Sequence, residues 1–429
     1  MAIIYPFKGF RYNKAVVSDL NQVVTQPYDK TTPSMQDDYY QRSPYSVVRI
    51  TLNVEKRKNP ETDYADAGAA FRQWIEQKVL VQDSQPAIYA YYQEHTSDGT
   101  KKLQRGFIAL LDLKKSESGI NPHEQTLAAP KQDRLQLMRS IEGNEDLIYM
   151  LYSDEMRSIN QTIDKSISGR PPEIEVIDEY GAVHRLWAVA NRESIEAIQN
   201  AMRPHELFIA DGHHRFETSV NYMKECEQRR WKPSGVESFD TRMVACFNIT
   251  DGVTILPTHR LVRDLAAFDT HSFLRAIEEN FTVEILPSAS ELWKKMKEGR
   301  KDHVFGFYPA DLKEFYLLRS NLGAGELLDE VRRLDVSILH ELLLEHCLGI
   351  DETKLEAQAH VDYEREREVC VRLVDEGEYQ AAFFLNPTSA EQVQHIASLG
   401  ERMPQKSTDF YPKLVSGLVF FDVAEDQRV

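Results

Sequence analysis

At residue 211 the sequence changes period. Leu207-Phe208-Ile209-Ala210 is a short unbroken apolar run, and Phe216, Val220 and Met223 follow at helical spacing. Between them stand Asp211-Gly212-His213-His214-Arg215. A buried strand must therefore end, turn at Gly212 and start a helix within a few residues. Such a junction needs a sheet with a helix packed back on it. The chain is expected to be α/β, in the mixed α+β sense.

The rest of the chain alternates in the same way. Ser46 to Leu52 reads as a strand because it is rich in β-branched residues. Tyr64 to Leu80 reads as a helix with Ala67, Phe71, Trp74 and Ile75 on one stripe, although Gly68 sits inside it. Ala87 to Tyr92 and Gly106 to Leu111 read as a hairpin turning at Ser97-Asp98-Gly99-Thr100. A short helix is expected over Asp133 to Ile141, with Asp133 as its cap. A second hairpin is expected over Glu173 to Val189, a helix over Glu193 to Met202, and a strand pair from Arg242 to Ile249 and Val253 to Leu256. Leu334 to Cys347 reads as a strongly amphipathic helix, and Leu414 to Phe421 as a last apolar strand. Val54 to Thr62, with its Lys-Arg-Lys, reads as an exposed loop, and the acidic run Asp362 to Glu368 as a solvated helix face. A division is expected near residue 265. Residues 1–265 would carry the 211–215 run, and the 404–413 segment of residues 266–429 would complete its cleft.

Charge narrows the partners. The 429 residues hold 68 acidic and 51 basic side chains, a net charge of −17. That balance repels a phosphate backbone, so no nucleic-acid partner is expected. No run of about 18 apolar residues occurs, so neither a spanning helix nor a membrane partner is expected. The first residues lack the pattern of a signal peptide. The four cysteines form no CxxC pair and read as buried free thiols. A cytoplasmic location is expected.

Several segments carry chemistry. A helix start after Gly212 favours an anion, and Arg215 adds a bidentate phosphate ligand. Asp211 at the strand end suits a hydroxyl or a metal, and two adjacent histidines supply proton donors or acceptors near neutral pH. The plain alternative is an Asp N-cap followed by polar helix-start residues. His123-Glu124 in a loop suits a general base, and Lys131 with Arg134 suits phosphate. Lys406-Ser407-Thr408 offers a point charge and two hydroxyls without the glycines of a P-loop. Gln26-Pro27-Tyr28-Asp29 places Asp29 on a turn. Pro257-Thr258-His259-Arg260 ends a strand and would bring a further His and Arg, His259 and Arg260, to the same edge.

These segments together resemble an uncharacterised bacterial and archaeal family of about this length. Its members carry a Pro-Pro-Tyr-Asp-like turn, a His-Glu-x-Thr segment, an Ala-Asp-Gly-His-His-Arg core, a Pro-Thr-His-Arg segment and a Pro-Gln-Lys-Ser-Thr-x-Phe-x-Pro-Lys ending. Here these are Gln26 to Asp29, His123 to Thr126, Ala210 to Arg215, Pro257 to Arg260 and Pro404 to Lys413, with Gln26 where the family usually has Pro. The Asp-Gly-His-His-Arg core also resembles the ParB/sulfiredoxin-like superfamily, and within it the free serine kinases. The resemblance implies a ParB/sulfiredoxin-like core around the strand-turn-helix, enlarged by N- and C-terminal extensions.

It also implies a nucleotide-dependent kinase that phosphorylates L-serine to O-phospho-L-serine, with ATP or ADP as donor and Mg²⁺ as the nucleotide's partner. Asp211, His213, His214 and Arg215 would surround the transferred phosphoryl group. A glutamate upstream would activate the hydroxyl, with Glu124 the first choice and Asp29 the second. Gly212, Arg215, Lys406, Ser407, Thr408, Arg134 and Arg260 would hold phosphate, and Asp29, His123 and His259 would touch substrate. No set of protein metal ligands is expected. The alternatives are a nucleotide-binding or nucleotide-hydrolysing ParB-like module, and a phosphohydrolase without an amino-acid acceptor.

Overall fold

A computed structural model describes residues 1–59, 62–97, 99–123, 128–229, 238–321 and 329–423, without the side chains of 128–130 and 356. Glu124 and Asp98 lie outside the described residues. The chain forms two compact units, Met1–Thr254 with Pro412–Val429, and Ile255–Tyr411. Both mix helices and strands, as the alternating periods imply.

The first unit is built on a nine-stranded mixed sheet. Its strands run Ile120–Pro122, Leu207–Asp211, Ile148–Tyr152, Thr241–Asn248, Thr100–Asp112, Ile88–Ser97, Val183–Val189 and Ile174–Ile177, with Ile4–Tyr5 added against Thr100–Asp112. Both expected hairpins are present and antiparallel. Leu207–Asp211 lies one strand in from the edge, parallel to Ile120–Pro122 and antiparallel to Ile148–Tyr152. One side of the sheet is sealed by two amphipathic helices. Ile159, Ile163 and Ile167 of Ser158–Ile167 and Ile195, Ile198 and Met202 of Arg192–Met202 join Ile88, Phe107, Ile148, Ile209 and Val244 in one buried cluster. Helix Ala128–Ile141 packs on helix His213–Gln228 and on helix Ala65–Glu76.

The second unit carries a six-stranded antiparallel sheet, in the order Phe281–Leu286, Phe315–Ser320, Val304–Pro309, Ala381–Phe384, His259–Val262, Val361–Glu364. Leu292 and Met296 of helix Ala289–Glu298 and Cys370 and Val374 of helix Arg367–Asp375 cover one face with Leu261, Leu317 and Phe384.

Several local expectations are corrected. Ser46 to Leu52 is not a strand: it contains a helical turn, Val48–Thr51. Val47, Val48, Ile50 and Thr51 are all buried, and burial on every side overrides a β preference that mostly reflects a half-buried surface. Val54–Lys58 is a short helix capped by the Asn53 side chain, not an open loop. The helix expected from Asp133 starts at Ala128, so Asp133 is no cap. Thr254–Leu256 pairs with Asp409–Tyr411, not with Thr241–Asn248. The Leu334 to Cys347 stretch is helical but widens over Leu339–Glu345 to a π-helix. The acidic run starts on a strand, Val361–Glu364. Of the last apolar stretch only Phe421–Asp422 is strand, paired with Gly143–Asn144.

Candidate active site

Gly212 makes the junction possible. Its φ of +93° lies in the left-handed region that favours glycine. A Cβ there would also meet the Arg215 guanidinium at 3.1 to 3.3 Å, so the missing side chain lets Arg215 fold back over the turn. Gly212 stands at the N-cap of the sixteen-residue helix His213–Gln228 and supplies no side-chain cap. The helix start therefore faces the turn with its positive end.

Asp211 closes the strand on the other side of that turn. Its Oδ2 accepts from the Lys413 ammonium at 3.1 Å, and its Oδ1 lies 3.5 Å from Arg215. Both cations are nearly buried, with 8% and 7% of their side chains exposed. Burial alone would raise the Asp211 carboxyl, but Lys413, Arg215 and Lys30 outweigh it and hold the group well below the usual carboxylate range. Asp211 is thus ionised at neutral pH and poorly suited to accept a proton. Arg215 is anchored from behind by a bond to the Leu147 carbonyl at 2.6 Å. Lys413 is fixed through its own carbonyl, which accepts from the Gln93 amide at 3.0 Å.

The histidines divide their work. His213 and His123 are buried, with rings 4.7 Å apart and edge to face. The His123 backbone N–H donates to His213 Nε2 at 3.2 Å, and His123 Nδ1 bonds the Ile209 carbonyl at 2.6 Å. The pair ties the edge strand to the helix start. His214 is half-buried, and burial lowers its pKa, so its imidazole is neutral at pH 7. Beside it Lys131 pairs with Glu217 at 2.8 Å.

Asp29 and Arg134 reach the same place from other elements. Tyr28–Lys30 is a single 3-10 turn with Asp29 exposed. Tyr28 lies near two guanidiniums, with Arg134 at 4.2 Å and Arg215 at 5.9 Å from its ring centre. Burial is the main reason its hydroxyl is pushed up to about 12. Arg134 is buried and held by Thr51 O at 2.8 Å, the Tyr64 hydroxyl at 2.7 Å and Asp133 at 2.7 Å.

The remaining candidates belong to the second unit. Arg260 is buried there without a carboxylate partner among the described residues. Its nitrogens bond His340 Nε2 at 3.1 Å, the Lys406 carbonyl at 3.1 Å and the Thr258 carbonyl, and it stacks on Tyr363. Burial lowers it to about 10. His259 does not share that side. Neighbouring strand residues face opposite ways. His259 packs on Phe384 in the covered core, takes the Leu385 N–H on Nδ1 and is lowered by burial to about 3. His259 and Arg260 thus project to opposite faces of their sheet. Lys406 is exposed at a φ of +57°, Ser407 is buried with its hydroxyl on the Pro404 carbonyl, and Thr408 is half-buried.

The first unit thus gathers Asp29, His123, Arg134, Asp211, Gly212, His213, His214 and Arg215. Lys413, Tyr28 and Tyr64 join them unforeseen. Lys413 was visible as the last residue of the Pro404 to Lys413 segment and Tyr28 within the Gln26 to Asp29 turn, whereas Tyr64 carried no polar pattern to mark it.

The chain belongs to the family described as a protein of unknown function, DUF1015, whose profile matches residues 4–337. No curated protein matches it. Among solved structures, a conserved hypothetical protein from Pyrococcus furiosus is similar at 13% identity and a TM-score of 0.35, over 72% of this chain and 95% of that one. A free serine kinase in complex with AMP is similar at 14% identity and a TM-score of 0.35, over 74% and 94%. SbnI with a C-terminal truncation, from Staphylococcus aureus, is similar at 11% identity and a TM-score of 0.34, over 72% and 85%. Among the described residues no helix is long and apolar enough to cross a membrane.

Proposed function

We propose that this DUF1015 protein is a nucleotide-dependent phosphotransferase whose acceptor is the hydroxyl of L-serine. The observation that carries the reading is the Asp211 carboxylate clamped between Lys413 and Arg215 at an uncapped helix start. Phosphoryl transfer asks a protein for positioning and for positive charge around the moving group. Two buried, anchored cations and the helix start supply both.

In the reaction, the serine hydroxyl oxygen forms a bond to the terminal phosphorus of the nucleotide. The bond from that phosphorus to the bridging oxygen breaks, and the shortened nucleotide leaves with the electron pair. The hydroxyl proton passes to a carboxylate. Asp211, kept ionised, orients the acceptor by accepting a hydrogen bond. Asp29 is exposed and forms no ion pair with a described residue, so it suits the proton-accepting role, with Glu124 the other choice. His214, neutral at pH 7, is a second acceptor at the rim. His123 and His213 act by position. The reading of Lys406, Ser407, Thr408 and Arg260 as further phosphate ligands rests on the sequence pattern.

Mg²⁺ would travel with the nucleotide and neutralise phosphate charge. No group of three or more acidic, His or Cys side chains among the described residues could hold a metal ion by itself. A nucleotide-borne Mg²⁺ needs only one or two protein carboxylates. Asp29 fits that need where Glu124 takes the proton, since Asp211 is already engaged by two cations.

The test is nucleotide conversion, followed by chromatography with Mg²⁺ and ATP or ADP, with and without L-serine. Conversion that depends on serine is expected. Release of inorganic phosphate at the same rate without serine would replace this reading with a phosphohydrolase.

A further inference from the structure

Behind Tyr28 the first unit opens into a cavity of about 740 Å³. Pockets for small organic ligands span about 300–1,000 Å³, so a nucleotide fits the volume. Its lining is unusual for an acidic chain. Lys56, Arg57 and Arg134 face it, with Asp133 the one acidic side chain in the lining and Asp37 paired with Arg57 at 2.6 Å beside it. The rings of Tyr28 and Tyr64 and the amides of Gln132 and Gln136 make up much of the rest.

The cations and rings adjoin one another. The Lys56 ammonium lies 4.8 Å from the Tyr64 ring centre. Arg134 lies 5.6 Å from that ring and 4.2 Å from Tyr28. Arg215, 5.9 Å from the Tyr28 ring centre, is the cation that braces Asp211. A polyanion bound across these groups would meet Lys56, Arg134 and Arg215, the last at the Asp-Gly-His-His-Arg turn.

We infer that this cavity is the nucleotide site. Lys56, Arg57 and Arg134 neutralise the phosphate chain, the tyrosine rings offer a surface to the base, and the terminal phosphate reaches Arg215 past Tyr28. A base has ring faces to stack and polar edges to read. Tyrosine rings and side-chain amides meet both needs, whereas a bare phosphate chain would use neither. The inference rests on the phosphotransferase reading for its choice of ligand.

The experiment is calorimetric titration of the full chain with ADP and, separately, with inorganic pyrophosphate. Gln136 is exposed on its helix, so Gln136→Trp fills the cavity without altering any charge. Lys56→Ala/Arg57→Ala removes charge and leaves the rings. Lys8→Ala/Lys14→Ala removes the same charge from exposed positions elsewhere in the unit. ADP is expected to bind the wild type, and each cavity variant to weaken it by about tenfold or more, while the control pair binds as wild type. Thermal melts of the same samples check folding.

Absence of ADP binding would overturn the inference, as would cavity variants that bind ADP like the wild type. Pyrophosphate binding as tightly as ADP would overturn the role given to the rings and amides. The two readings fail separately. Cavity-dependent ADP binding without phosphoserine formation would remove the kinase reading and keep the site. Phosphoserine formation with cavity variants that bind normally would do the reverse.

Discussion

The Lys413 ammonium meets the Asp211 carboxylate at 3.1 Å across 202 residues of sequence. Asp211 ends a strand one place in from the sheet edge, and Lys413 lies where the chain has re-entered the first unit. The Asp-Gly-His-His-Arg run is therefore completed by a residue from the far end of the chain. A double-mutant cycle measures the link. Asp211→Asn and Lys413→Met should each destabilise the protein, because each takes one partner from a charge in the cluster. The double variant should cost less than the sum by about 1–3 kcal/mol in urea unfolding. Strict additivity would show that the contact carries no energy.

Acid should weaken the protein through the same group. The folded Asp211 carboxyl is held below its unfolded value of about 3.9. Its contribution is fully present above that value and fades as pH falls through it toward the folded pKa. The wild type should lose stability on going from about pH 5 to pH 3, and Asp211→Asn should lose less. His214 acts with the same sign at higher pH. Burial lowers its pKa, so below about 6.5 the unfolded chain takes a proton that the folded imidazole resists. His214→Gln should flatten the stability curve between about pH 6.5 and 5. Urea unfolding against pH checks both, and unchanged slopes in the two variants would contradict the assignments.

Gly212→Ala tests the turn. A left-handed backbone costs a side-chain-bearing residue about 1–2 kcal/mol. The new Cβ would also press on the Arg215 guanidinium. Lower thermal stability and loss of activity are expected together, since the same contact moves a phosphate ligand. A variant as stable and active as the wild type would mean that Arg215 need not lie over the turn.

The strand-turn-helix at 207–228, both hairpins and the mixed class were legible because each rests on local period and turn chemistry. What escaped depends on the third dimension. Gly68 weakened the reading of its helix, yet its Cβ would stand 2.2 Å from the Ser140 carbonyl, so the glycine lets two helices touch. Ser46 to Leu52 looked like a strand because β-branched residues are ambiguous when fully buried. Lys56 and Arg57 read as loop charges, and only the packing of Ala128–Ile141 opposite them shows the cavity they line. Lys413 stood in plain view behind Lys406-Ser407-Thr408, but no local pattern links it to Asp211. His259 and Arg260 are adjacent in sequence, but strand alternation sends them to opposite faces.

The central claim is tested most directly by mass spectrometry of the products formed from L-serine, Mg²⁺ and ATP or ADP, by the wild type and by Asp211→Asn. The account predicts O-phospho-L-serine from the wild type and its loss in the variant. A wild type that consumes nucleotide without making phosphoserine, or a variant that makes it at the wild-type rate, would contradict the account.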